Sequence, residues 1–331
     1  MKRLTLWLLL VAALTLAACG ADTSNTSPIE PTTSPAIEVT IAPTTEPTAQ
    51  PAWPQTFTDS LGHDITLDTP AAKIVSLAPS NTEMLFAIDA GSAVVARDTF
   101  SDYPEAALAL PDVGGGFTEL NNELILSLEP DLILAADITP PEQVQALQDL
   151  GLNVYTLSNP TTLEEMYDRL RTLAQITATE DQTEQLITNL QARVAAVADK
   201  IATVEEKPLV FYELDATEPN APWTAGPDTF IDHLITRAGG QNVGASLDSA
   251  WVQISIEELL VQDPDIILLG DAVWGGVTPE SVAAREGWES LTAVQNDQVH
   301  TFDDNLASRP GPRLIDGLES MAQILHPDLF Q

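Results

Sequence analysis

Of the 331 residues, the stretch 56–331 is long enough for one bilobed unit or two modest domains. The chain carries 49 acidic against 13 basic side chains, a formal charge of -36, with the acids scattered along it. Such a surface makes nucleic acid an unsuitable partner and repels small anions, except where an arginine acts within a Debye length of about 8–10 Å.

Lys2 and Arg3 precede an apolar run over 4–16 that closes on Leu16-Ala-Ala-Cys19, the pattern of a secretion signal with a lipobox. The run is shorter than the roughly 20 apolar residues that span a bilayer. Cys19 is the only cysteine, so no internal disulfide is available, and its expected role is to carry lipid at a mature N-terminus. Residues 20–55, rich in Thr, Pro, Ser, Ala and Glu, cannot offset their own ordering entropy and read as a flexible tether.

A short β-type run at 74–77 comes next, and Ser80 with Glu83 makes a capping-box pair that predicts a helix start there. Further strands are predicted at 94–97, 132–135 and 154–157. Their separation by helical or loop segments predicts a parallel sheet with helices on its faces. From 161 to 207 there is neither Gly nor Pro, and Leu186, Leu190, Val194, Val197 and Ile201 recur at spacings of four and three, which predicts a long helix over about 180–204. The second half offers a strand at 209–212, a loop at 219–227, a helix at 229–238, a strand at 298–302 and a helix at 313–325.

Residues 121–137 and 255–271, offset by 134, are identical at seven of 17 positions. In each copy an amphipathic run ends at a Pro-Asp pair, and an unbroken apolar run follows, as a strand buried on both faces requires. The fold class is therefore α/β, with two like lobes containing parallel sheets, at 56–178 and 207–331, joined by the helix at 179–206.

The chain has no G-x-S-x-G, no H-E-x-x-H and no phosphate-cradling glycine loop, so no enzyme class is indicated. Its four histidines are far apart in sequence, which gives little support to a first-row metal site. Five aromatics, Phe100, Phe117, Trp223, Trp251 and Trp274, fall in predicted loops of both halves; each could cover a local core, but together they favour an apolar cleft between lobes. Asn121 and Ser255 read as N-caps, which puts Glu123 and Glu257 at the second position of equivalent helices. One account stops at the helix dipole, worth about 0.3–1 kcal/mol. The other makes them a docking pair for a basic partner with pseudo-twofold symmetry.

The stretches 76–83 (SLAPSNTE), 100–104 (FSDYP), 124–131, 222–226 (PWTAG), 251–257 (WVQISIE) and 309–313 (RPGPR) resemble the helix-linked, two-lobe substrate-binding proteins of ABC importers, most closely their cobalamin-binding members, over about 74–326. The resemblance implies a monomeric, extracytoplasmic lipoprotein, tethered through Cys19 to the outer face of the cytoplasmic membrane. It also implies a permease and its ATPase as partners. Phe100 and Phe117 would hold a corrinoid from one lobe and Trp223 and Trp251 from the other, with Asn305 and Arg309 as polar contacts and Glu123 and Glu257 meeting permease arginines. No cofactor beyond this ligand is expected. The alternative ligand is a ferric siderophore, served by Arg97, Arg309 and Arg313, or haem, for which Tyr103 is the candidate axial group.

Overall fold

The computed structural model describes residues 52–331. Cys19, the signal segment and most of the 20–55 tether lie outside the described residues. Strands β1 (Gln55–Thr58) and β2 (Asp64–Leu67) form an antiparallel hairpin. Sequence patterning did not indicate it, because four-residue strands offer too little alternation to read. Buried Asp59 holds its turn by accepting the N–H groups of Leu61 and His63, and ties the hairpin to the neighbouring lobe through the N–H of Thr156.

The first lobe follows as β3 (Ile74–Ser76), α1 (Pro79–Ala87), β4 (Val94–Arg97), α2 (Asn122–Ser127), β5 (Leu132–Ala136), α3 (Pro141–Asp149) and β6 (Val154–Leu157). All four strands are parallel, in the order β4-β3-β5-β6. The apolar run of β5 divides between two cores: Leu132 and Leu134 enter one, Ile133 and Ala135 the other. That two-sided burial is why its sequence shows no alternation.

Helix α4 (Leu163–Thr177) and helix α5 (Glu180–Ile201) carry the chain across. Ala178 at φ 57° separates them, a left-handed residue without the glycine that would have marked the break in sequence. The second lobe contains β7 (Leu209–Glu213), β8 (Trp223–Ala225), α6 (Phe230–Arg237), β9 (Gln241–Asn242), β10 (Trp251–Gln253), α7 (Ile256–Gln262), β11 (Ile266–Leu269), α8 (Ala272–Gly275), α9 (Pro279–Ala283), α10 (Thr292–Gln295), β12 (Val299–Thr301) and α11 (Leu314–Leu325). Its parallel sheet runs β12-β11-β7-β9.

The two sheets share one order, β6-β5-β3-β4 matching β12-β11-β7-β9, and the repeated sequence supplies α2–β5 and α7–β11. The duplicated Pro-Asp acids do the same work. Asp131 accepts the N–H groups of Ala72 and Lys73 at 2.9 and 3.0 Å before β3, and Asp265 accepts that of Leu209 at 2.7 Å at the start of β7. One continuous core, including Leu134, Leu190, Leu268 and Leu318, extends from the first sheet through α5 and α11 into the second. Arg193 of α5 reinforces that seam by binding Asp316 and Glu319 of α11.

The predicted capping box at Ser80 and Glu83 does not form. Helix α1 starts at Pro79 from Ala78, with no side-chain cap, because a proline at the first helical position is already set for the helix and lacks an N–H to satisfy. Glu83 is instead buried and paired with Arg313 from the other lobe.

Candidate functional site

The first-lobe side of the site grows from the segment after β4. Buried Asp98 accepts the N–H of Phe100 at 2.9 Å and the hydroxyl of Ser101, which fixes the turn that presents Phe100. Desolvation pushes the Asp98 carboxyl above its ordinary range. The Phe100 and Phe117 rings meet edge-on at 5.7 Å, with Phe117 88% exposed. Gly116, at φ 64°, allows this approach, since a Cβ there would stand 2.7 Å from the Phe100 ring.

On the second lobe, Trp223 and Trp251 are not in loops but in strands β8 and β10, which pair antiparallel with Trp223 opposite Gln253 and Trp251 opposite Ala225. This register puts both tryptophans on one face of a two-stranded ribbon. They are 41% and 44% exposed, and Trp251 leans on Phe230 at 5.6 Å. Strands of three residues are too short to show a period, so patterning placed them in loops. Trp274 likewise sits not in a loop but on the short α8, just beyond β11, and is 57% exposed beside exposed Val273.

Charged groups join the lobes through Arg309 and Arg313. Arg309 donates to both oxygens of Asp102 and lies 3.6 Å from Glu83. Arg313 donates through Nε to Glu83 at 2.8 Å and stacks over the Tyr103 ring at 3.9 Å. Desolvation raises the Glu83 carboxyl, against the lowering effect of both arginines. A cavity of about 270 Å³ opens among Phe86, Tyr103, Pro104, Pro312 and Arg313. Asn305 is held in a tight turn, its amide donating to Asp303 at 2.9 Å. Arg97 donates to the carbonyls of Ala107, Asp98 and Thr99, so its guanidinium is a structural strut.

Asn121 and Ser255 do cap α2 and α7, accepting the N–H groups of Leu124 and Glu258. Glu123 and Glu257 therefore stand at the second position of equivalent helices, and both are exposed. One turn along the same faces, exposed Leu126 and Val261 add an apolar neighbour to each acid.

The periplasmic binding protein family model matches residues 74–306. This chain belongs to that family. A 31% identity over 336 residues relates this periplasmic binding protein to an uncharacterized ABC transporter substrate-binding lipoprotein of Bacillus subtilis, covering 100% of this chain and 99% of the relative. Among solved structures, it resembles the periplasmic vitamin B12-binding protein of Vibrio cholerae at 31% identity and a TM-score of 0.67, covering 79% of this chain and 99% of the other. The periplasmic haem-binding protein of Vibrio cholerae is similar at 27% identity and a TM-score of 0.70, covering 77% and 99%. The fold is thus the two-lobe, helix-linked architecture of ABC-importer substrate-binding proteins, and the family is one of transport rather than catalysis.

Sequence reasoning gave no hint of a buried acidic pair at the ends of β7 and β11 in this periplasmic binding protein. Glu213 is buried at the end of β7, with both oxygens held by Arg285 at 2.6 and 2.8 Å. Asp271, 1% exposed, feels the Glu213 charge and accepts the N–H of Ala216, while its other oxygen has no hydrogen-bond partner among the described residues. Burial first, and the Glu213 charge second, raise the Asp271 carboxyl from 3.8 to about 7. Between those values the folded state binds the proton more tightly than the unfolded chain, so this group's contribution to stability falls as pH rises from about 4 to about 7 and is flat above. Asp271→Asn removes that ionisation penalty. Thermal melts should show the variant gaining on the wild type between pH 5 and pH 8, by on the order of 2 kcal/mol; a constant difference across that range would refute the coupling.

Proposed function

We propose that this periplasmic binding protein captures cobalamin or a related corrinoid between its lobes and presents it to an ABC permease while anchored by lipid on Cys19. The observation that carries this reading is the exposed aromatic set on both lobes, Phe100, Phe117, Trp223, Trp251 and Trp274, in contrast to the fully buried Trp288 and Phe211. A half-exposed indole leaves roughly 100 Å² of apolar surface to be covered, worth about 2–3 kcal/mol when a ligand excludes water from it. A corrin offers a broad, largely apolar face and a rim of neutral amides, to which Asn305, held by Asp303, and Arg309, held by Asp102, would offer polar contacts.

Likeness to the haem-binding structure keeps haem or a ferric siderophore as the second reading. The arginines that would serve an anionic chelate are, however, already engaged: Arg97 with backbone carbonyls, Arg309 with Asp102 and Arg313 with Glu83. The test is a titration of the full-length protein in detergent with cyanocobalamin, cobinamide, a ferric hydroxamate and haemin, followed by tryptophan fluorescence and calorimetry. Saturable one-to-one corrinoid binding below the micromolar range is expected. A response to an iron compound alone would replace the corrinoid reading with the second one.

A further inference from the structure

Resting on the cleft assignment above, we propose that Asp102 determines which ligand charges this protein accepts, by occupying Arg309 and so reserving the cleft for neutral or cationic cargo. A guanidinium at a cleft between lobes is ordinarily the group that recruits a carboxylate or phosphate, because it offers paired donors in a planar fork. Here Asp102 takes both terminal nitrogens of that fork from the opposite lobe. The hydrogen bond from Arg309 holds the Asp102 carboxyl below its ordinary range, so the quenching charge is present throughout the neutral pH range.

The surroundings reinforce this effect. Glu83 is the nearest other acid to Arg309, at 3.6 Å, and it is bound by Arg313. Asp98 and Asp304 both feel the Arg309 charge, and Asp303 feels that of Arg313. With Asp112, which lies 3.5 Å from Arg97, six formal carboxylates therefore stand around three guanidiniums, those of Arg97, Arg309 and Arg313. In a chain that is already strongly acidic, a polyanionic chelate entering this region finds no uncommitted fork and a net negative field. Corrinoids, neutral or cationic overall, meet no such barrier. Asp102 is a specificity residue in this scheme, acting on the ligand through Arg309.

The test compares wild type, Asp102→Asn and the double variant Asp102→Asn/Arg309→Gln as full-length proteins in detergent. Calorimetry would follow cyanocobalamin, cationic diaquacobinamide and a trianionic ferric tris-catecholate at low and high salt, with thermal melts confirming that each variant is folded. In Asp102→Asn the ratio of tris-catecholate to cobalamin affinity should rise at least tenfold, shrink at high salt and return towards wild type in the double variant. An unchanged ratio, or a rise that persists without Arg309, would overturn the proposal. Failure of the wild type to bind any corrinoid would overturn the cargo assignment instead. The tris-catecholate affinities of the three proteins would then decide the role of Asp102 by themselves: a tenfold gain reversed by Arg309→Gln supports it, and no gain refutes it.

Discussion

Replacing Trp223 and Trp251 together by alanine is expected to weaken corrinoid binding about a thousandfold while leaving the protein folded. Each indole sits on the exposed face of the β8–β10 ribbon with more than half of its surface already covered by protein. The remainder, covered by ligand, corresponds to about 2–3 kcal/mol per ring, and the pair to ~4 kcal/mol once partial relaxation is allowed. Stability should change little, because neither ring belongs to the cores, in contrast to the fully buried Trp288, whose indole N–H donates to the Pro219 carbonyl. Calorimetric titration beside a thermal melt separates the two effects. Unaltered affinity in a folded double variant would remove the ribbon from the binding site.

The second large effect is on transport. Glu123→Ala combined with Glu257→Ala should leave corrinoid affinity at the wild-type value and reduce uptake to background. Both side chains are exposed on capped helices of equivalent position, so their loss disturbs no core. An exposed ion pair in isolation is worth little. A charge pair enclosed by an interface couples by about 1.5–7 kcal/mol, and this arrangement provides one on each lobe. Leu126 and Val261, beside the two acids, would help to exclude water around them. Uptake by cells or proteoliposomes, measured with binding on the same preparations, is the check; normal uptake by the double variant would exclude the docking role. Single variants should fall between the extremes, since one lobe then keeps its anchor.

The matched acids Glu123 and Glu257 were legible because everything that places them is local. Asn121 and Ser255 cap within one turn, and a 134-residue offset aligns one copy with the other. Helix α5 was legible for the same reason, through the spacing of Leu186, Leu190 and Val197. The candidate site was legible only in part. Phe100, Phe117, Trp223, Trp251 and Trp274 were found as residue types, but the ribbon that carries two of them consists of three-residue strands paired across a 25-residue connection. Glu83 was misread as a local cap because its partner Arg313 lies 230 positions away, and Asp102 was passed over because Arg309 lies 207 positions away.

The sequence by itself determined the duplicated α/β architecture, the connecting helix and the matched acids, since periodicity and capping act over a few neighbouring residues. Only the tertiary structure decided which arginines are already engaged, where the buried Glu213–Asp271 pair lies, and that one core unites both lobes. Those features depend on burial and on charge pairing between segments brought together by folding, and the energy of a charge is set by surroundings that no local pattern records.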